Sequence, residues 1–342
     1  MKEIISITLV IIGALVGAGF ASGQEIFSFF YVYGKNGIFG IIIMCLLMGF
    51  LIYKTLKIAY LNKNDNYNDF LNEFIKNKKI NFIISLIINI LLLFSFYIMV
   101  AGFGAYFEQE LGINTYIGSI GFALFCSIVF FLNVNGVLKI SNIIVPVLIL
   151  FIVFIGIKNI FYLKDIELIQ IKNNWLNSSI IYTSYNLILL IPVLISLRNQ
   201  ITQEKNIKYI AIFSSVLMIF LSIMIFLLLL NENITCLRKQ EMPAVYVISK
   251  NFSQYRNLYA FIILASIFTT AISVGIGFLK NVSKNKKSYT QVVIFMCITS
   301  VLITKFGFSK ILNFIYPIFG YIGIIQIILL ITKKLRNNIA KS

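Results

Sequence analysis

The chain has 342 residues, of which 59% are hydrophobic and 12% charged, with a mean hydropathy of +0.93. A soluble domain carries about 25% charged residues, so an ordinary water-soluble protein is excluded. Histidine is absent, which removes Ser-His-Asp triads, His-dependent metalloprotease motifs and histidine proton shuttles. The net charge of +17 comes from Lys and Arg in short runs between apolar stretches, not from one continuous basic face. That distribution fits a membrane surface and excludes nucleic acid as the expected partner. Cys45, Cys126, Cys236 and Cys297 lack CxxC spacing and indicate neither a zinc site nor a disulfide framework.

A transmembrane helix takes about 20 apolar residues. Ten such segments follow one another, at residues 4–33, 37–61, 80–107, 115–132, 138–157, 178–197, 209–230, 258–279, 289–306 and 311–331. The segments between them are too short to bury a separate core, so residues 1–342 read as a single integral membrane domain. One connection, 69–76, is expected to form a short surface helix. The first segment stays apolar through Phe27, Phe29, Phe30 and Tyr31, which reads as a membrane helix and not as a cleaved leader. With the N-terminus inside, 19 of the 29 basic residues fall on the cytoplasmic face, among them Lys2, Lys54, Lys57, Lys63, Lys205, Lys208, Lys286, Lys287 and Lys333. Both termini are therefore expected in the cytoplasm.

Within the first segment the run Gly13-Ala-Leu-Val-Gly-Ala-Gly-Phe-Ala-Ser-Gly-Gln-Glu25 holds four glycines in eleven residues. Glycine at that density lets the backbone leave helical geometry. Close helix packing would also use small residues, but packing does not ask for Ser22, Gln24 and Glu25 beside them. An acidic side chain inside a span is costly and marks a functional site by default. The sixth segment carries Tyr182-Thr-Ser-Tyr-Asn186, whose Ser and Asn compete for backbone hydrogen bonds, and a second break is expected there. Breaks in the first and sixth of ten segments occupy matching positions in two sets of five. That arrangement points to an inverted repeat, with halves at about 4–157 and 178–331 and a binding site at the midplane. The eighth segment contributes Ser266, Thr269, Thr270 and Ser273, hydroxyls that by themselves could simply bond back to carbonyls one turn earlier.

Gly13-x-x-Val16-Gly17-x-Gly19 together with Ser266-x-x-Thr269-Thr270 resembles the sodium-site signature of LeuT-fold transporters of the APC superfamily. The stretches 13–25, 182–186 and 268–273 are similar to the YkvI family of bacterial membrane proteins. The resemblance implies an all-α membrane protein of ten helices in a five-plus-five inverted repeat, with helices one and six interrupted. It also implies multi-pass residence in a bacterial plasma membrane. Carried onto this sequence, it implies Na⁺ held by the carbonyls of Gly13, Val16 and Ser266 and the hydroxyls of Thr269 and Thr270. The chemistry is sound, since a hard cation prefers oxygen and an unwound helix exposes carbonyls. The substrate site is expected to draw on Gly17, Gly19, Phe20, Ser22, Glu25, Tyr97, Tyr182, Tyr185, Asn186 and Phe268, with the aromatic members as walls. Glu25 departs from the pattern of amino-acid carriers; pairing with a substrate cation, proton coupling and helix capping are all open to it.

The expected function is cation-coupled secondary transport of a small amino-acid- or amine-like solute across the lipid bilayer, with Na⁺ as the coupling ion and no other cofactor. A membrane solute sensor of the same fold is the alternative. Ser22-Gly23 is similar to the GxSG of membrane serine proteases, but Phe20 takes the first Gly position and no histidine can serve as base, so no enzyme is expected.

Overall fold

The structure, a computed structural model, describes residues 1–64, 67–75, 77–132, 137–161, 169–283 and 285–333. Chain segments that lie in hydrocarbon must pair their own backbone groups, and helices do so locally. In chain order the helices are α1 (Lys2–Leu15), α2 (Ala18–Ala21), α3 (Gln24–Phe29), α4 (Lys35–Asn62), α5 (Tyr67–Asn72), α6 (Lys78–Leu111), α7 (Thr115–Leu132), α8 (Val137–Ile160), α9 (Trp175–Leu197) and α10 (Glu204–Leu229). They continue with α11 (Ile234–Leu237), α12 (Pro243–Asn251), α13 (Arg256–Val282), α14 (Lys286–Ile303) and α15 (Phe308–Thr332). Among the described residues seven helices, α4, α6, α9, α10, α13, α14 and α15, are long and apolar enough to cross a membrane. The other three expected segments correspond to the broken run α1–α3 and to α7 and α8, whose apolar stretches are shorter. The surface helix expected at 69–76 forms earlier, as α5, because Phe70 and Leu71 are buried, Phe70 in a cluster with Leu187 and Ile191 of α9.

The helices sort their side chains for lipid. On α7 the exposed residues are Ile117, Ile120, Leu124, Ile128 and Phe131, and on α15 they are Phe314, Ile318, Tyr321, Ile325 and Ile328. Spacings of three and four trace one apolar stripe along each helix. Such stripes would be a liability in water and are the natural outer surface in a bilayer.

Two groups of helices pack together. One contains α1, α4, α9 and α10, and the other α6, α7, α13 and α14; α8 bridges them through α10 and α13, and α15 through α9 and α6. The α9–α15 contact is close because Gly320 and Gly323 face the α9 backbone. A Cβ on Gly323 would lie 2.5 Å from the Ser184 carbonyl oxygen, and one on Gly320 would lie 2.7 Å from that of Ile181. Small residues let helices approach in this way, so that dispersion contacts do the work that water exclusion does elsewhere.

One expectation is overturned: α9 is not interrupted. It runs unbroken from Trp175 to Leu197 through Tyr182–Asn186 and past Pro192. The polar side chains add to the ladder instead of replacing it. Thr183 Oγ1 donates to Ser179 O at 2.8 Å, Ser184 Oγ to Ile180 O at 2.6 Å, and Asn186 Nδ2 to Tyr182 O at 3.0 Å. A carbonyl has two lone pairs, so each acceptor can serve both a backbone N–H and a side chain one turn on.

The ends of the helices gather into two faces. On one, Glu3 accepts from Thr202 N (3.1 Å), Thr202 Oγ1 (2.6 Å) and Asn206 Nδ2 (3.2 Å), and Lys57 pairs with Glu204 at 3.3 Å. There the buried Lys54 donates to Leu330 O, Ile331 O and Lys333 O at 2.8, 2.7 and 3.1 Å. It satisfies the orphan carbonyls that end α15 and matches their negative dipole. On the other face Arg256 pairs with Glu110 at 3.0 Å, and Lys158 donates to Tyr255 OH at 3.0 Å.

The glycine contact yields a direct test. Gly323→Ala forces an added carbon against α9 backbone and is expected to cost about 1–3 kcal/mol. Gly121→Ala, with open space at that position, is expected to be neutral or to stabilise by up to about 1 kcal/mol. Thermal unfolding of the two variants in detergent should separate them.

Candidate functional site

The first segment is broken twice. α1 ends at Leu15; Val16 (φ −89°, ψ 77°) donates to Ile12 O, and Gly17 (φ −88°, ψ −169°) is extended. Backbone bonding resumes with Ala21 N–H to Gly17 O at 2.9 Å. The carbonyls of Gly13 and Val16 thus receive no helical N–H. The second break is at Ser22–Gly23, where Gly23 has φ +78°, a left-handed conformation that costs a residue with a Cβ but not glycine. Ser22 Oγ donates to Gly19 O at 3.1 Å and accepts Gln24 N–H at 3.4 Å, bridging the gap between α2 and α3.

Other parts of the chain complete what the breaks leave open. Ala244, in the first turn of α12, donates its N–H to Ser22 O at 2.8 Å, and Tyr259 of α13 donates its hydroxyl to Ala21 O. The backbone fit at Gly23 is tight, since a Cβ there would stand 2.7 Å from that of Ala244. α12 is held in turn by Gln109, whose side chain exchanges bonds with Met242 N (2.9 Å) and Met242 O (3.2 Å), and by Ser249 Oγ to Glu110 at 2.5 Å.

Glu25 lies in the first turn of α3 and is 4% exposed. Its Oε2 accepts the Tyr182 hydroxyl at 2.8 Å. Its Oε1 folds back over α2, where a Cβ on Gly19 would overlap it; glycine there is what admits the carboxyl. Among the described residues no Lys or Arg nitrogen comes within 4.0 Å of this carboxylate. The hydroxyl of Tyr185 lies beside Glu25, buried and with no hydrogen-bond partner. The rings form a continuous shell: Phe29 and Phe30 meet Tyr182 edge-on at 5.3 and 5.1 Å, Tyr182 meets Tyr185 at 5.2 Å, and Tyr185 stacks on Tyr316 at 4.3 Å.

The expected site residues divide accordingly. Gly19, Ser22, Glu25, Tyr182 and Tyr185 come together at the two breaks, with Phe20 fully buried in the turn between them. Asn186 is buried but spends its amide on its own helix. Tyr97 and Phe268 are placed elsewhere: Tyr97 OH shares a 2.6 Å hydrogen bond with Thr299, and the Phe268 ring packs at 5.1 Å on the exposed Phe125 of α7. Sequence reasoning missed Phe29, Phe30 and Tyr316 as ring partners, and Ala244 and Tyr259 as partners of the break. In a chain with 32 Phe and 18 Tyr, nothing local singles these rings out.

For the ion site, Gly17 lies against Thr270, whose Oγ1 is 3.9 Å from the position a Gly17 Cβ would take. The eighth-segment hydroxyl and the first break are therefore neighbours. Thr269 Oγ1 donates to Ser266 O at 3.1 Å, so two of the five expected ligands satisfy each other.

No family model matches the chain. It is 29% identical over 347 residues to a Bacillus subtilis (strain 168) protein described as uncharacterized membrane protein YkvI, covering 96% of this chain and 95% of that one. It is 25% identical over 339 residues to the B. subtilis protein YyaD, covering 94% of each. The chain is homologous to YkvI. Among solved structures it resembles Mhp1 in its inward-facing conformation, with a TM-score of 0.60, 10% identity, and coverage of 93% of this chain and 73% of that one. It also resembles an Eremococcus coleocola manganese transporter, with a TM-score of 0.55, 13% identity, and coverage of 95% and 77%. The chain is thus a multi-pass membrane protein with a LeuT-like fold.

The contrast between the two tyrosines is testable. Tyr182→Phe strips Glu25 of its donor and is expected to lower stability by about 1–3 kcal/mol. Tyr185→Phe removes a buried hydroxyl that lies beside Glu25 without a hydrogen bond of normal length, so its thermal unfolding midpoint is expected to fall less than that of Tyr182→Phe.

Proposed function

We propose that this protein is a Na⁺-coupled secondary transporter of a small solute, working by alternating access around the breaks in its first helix. The observation that carries this reading is Glu25: a carboxylate buried where the backbone leaves the helix, hydrogen-bonded by a phenol and, among the described residues, paired with no basic one. Structural acids in membrane proteins are paired, whereas an unpaired one is held for a ligand, an ion or a proton. The neighbours that share the fold, Mhp1, described as a nucleobase-cation-symport-1 family transporter, and the manganese transporter, agree with transport as the activity.

Na⁺ would sit between the first break and α13, on the carbonyls of Gly13 and Val16 and the hydroxyl of Thr270. Ser266 and Thr269 would join by exchanging their mutual hydrogen bond for the ion. The carbonyls left without N–H partners support this placement, since oxygen ligands already stripped of donors need no helical bond broken to receive a hard cation. If Na⁺ favours the substrate-ready conformation, linkage raises substrate affinity by the same factor, roughly 5- to 150-fold for a typical coupling.

Ten spans in two inverted halves, with both termini in the cytoplasm, complete the reading. The packing supports the repeat: contacts exchange as they should when α1, α4, α6, α7 and α8 map onto α9, α10, α13, α14 and α15. Thus α1–α10 matches α9–α4, α6–α7 matches α13–α14, and α8–α13 matches α15–α6.

Two measurements test the proposal. Purified protein should bind radioactive Na⁺ saturably, with Thr270→Ala raising the half-saturating concentration several-fold; the absence of saturable binding would refute the ion site. Single cysteines at the exposed Lys35 and Lys208 should react with an impermeant reagent from outside the cell and only after permeabilisation, respectively. The opposite pattern inverts the topology.

A further inference from the structure

We infer that the solute received at Glu25 is a small organic amine in its primary ammonium form, and not an amino-acid zwitterion. The inference rests on the reading of the first-helix breaks as the substrate site and adds the chemical class.

The site is built for a cation with N–H donors. Glu25 supplies a negative charge with no basic neighbour among the described residues, and Tyr182 engages only one of its oxygens. The Tyr185 hydroxyl, 1% exposed as a residue and without a partner, offers a second acceptor beside the carboxyl. A primary ammonium carries three donors, enough to reach Glu25 and the Tyr185 oxygen together. The surrounding rings of Phe29, Tyr182, Tyr185 and Tyr316 suit a cation as well, because π faces attract positive charge where water is excluded.

The same geometry works against a substrate carboxylate. The Glu25 carboxyl lies over Gly19, in the first turn of α2 after the Val16–Gly17 break, and the absent Gly19 side chain is what lets it in. A second carboxylate at that point would face a like charge at contact distance in a low-dielectric surrounding. Among the described residues no Lys or Arg of the shell is present to offset it, and the chain has no His.

The test uses the full chain in nanodiscs and probes that share one body and differ in charge: phenethylamine, phenylalanine, 3-phenylpropionate and phenethyltrimethylammonium, with isopentylamine and leucine as an aliphatic pair. The primary amines should bind at least about tenfold more tightly than their matched amino acids, and 3-phenylpropionate should not bind. Glu25→Gln should abolish amine binding. Tyr185→Phe, which removes no bond of the fold, should weaken the primary amine and leave the trimethylammonium probe unchanged. Amino acids binding as well as the amines, amine binding that survives Glu25→Gln, or no binding of any amine would each overturn the amine assignment. Vesicle uptake separates this from the underlying reading. Amines that bind but never accumulate in proteoliposomes would remove transport and keep the amine site, and Na⁺-driven accumulation of leucine or phenylalanine without amine binding would do the reverse.

Discussion

A backbone buried in hydrocarbon has no water to fall back on, and the first helix breaks its own hydrogen-bond ladder twice, at Val16–Gly17 and at Ser22–Gly23. Each open group must then be met by something from elsewhere in the chain. The tertiary structure is organised around that demand. α12 brings Ala244 N–H to Ser22 O, α13 brings the Tyr259 hydroxyl to Ala21 O, and α9 brings Tyr182 to Glu25. Three elements far apart in sequence therefore converge on one short stretch. The Gly13 and Val16 carbonyls, which receive no helical N–H, are among the groups they do not reach.

Two buried charges show how differently such a group can be treated. Lys54 is satisfied by three carbonyls at the end of α15, all contributed by the fold itself. Its positive charge meets the negative end of a helix, and nothing further is needed. Glu25 accepts from the Tyr182 phenol and, among the described residues, has no counter-charge. Charge burial on those terms is costly, and the cost is tolerated where a ligand, ion or proton completes the shell. The first arrangement is a structural cap; the second, on the function proposed above, is where the solute would complete the shell.

Glycine has separate uses in the broken first segment and in α15. Gly23 is required by its left-handed backbone, and Gly19 by the carboxyl folded over it. Gly320 and Gly323 have ordinary helical geometry and are small so that α15 can lie against the backbone of α9. That close contact, with α4 on another side, helps explain why α9 keeps its ladder through a stretch of hydroxyls, an amide and a proline: its neighbours hold the helix, and its polar side chains find acceptors within it.

The sequence by itself determined the solvent, the helical class and the place of the first break. Composition fixed the membrane, because no aqueous fold can expose so much apolar surface. The glycine run with Ser22 and Glu25 marked the first break, because a local excess of conformational freedom beside a charge is a local signal. The continuity of α9 was not legible, since Thr183, Ser184 and Asn186 compete with a helix or reinforce it depending on which carbonyl lies in reach. The shell around Glu25 was half legible. Tyr182 and Tyr185 stood out in a polar stretch, whereas Tyr97 and Phe268 looked equivalent and pack on Thr299 and Phe125 instead. Tyr316, Phe29, Tyr259 and Ala244 acquired their places only when α15, α13 and α12 docked, because which face of an apolar helix turns inward is decided by its neighbours and not by a pattern in a uniformly hydrophobic chain.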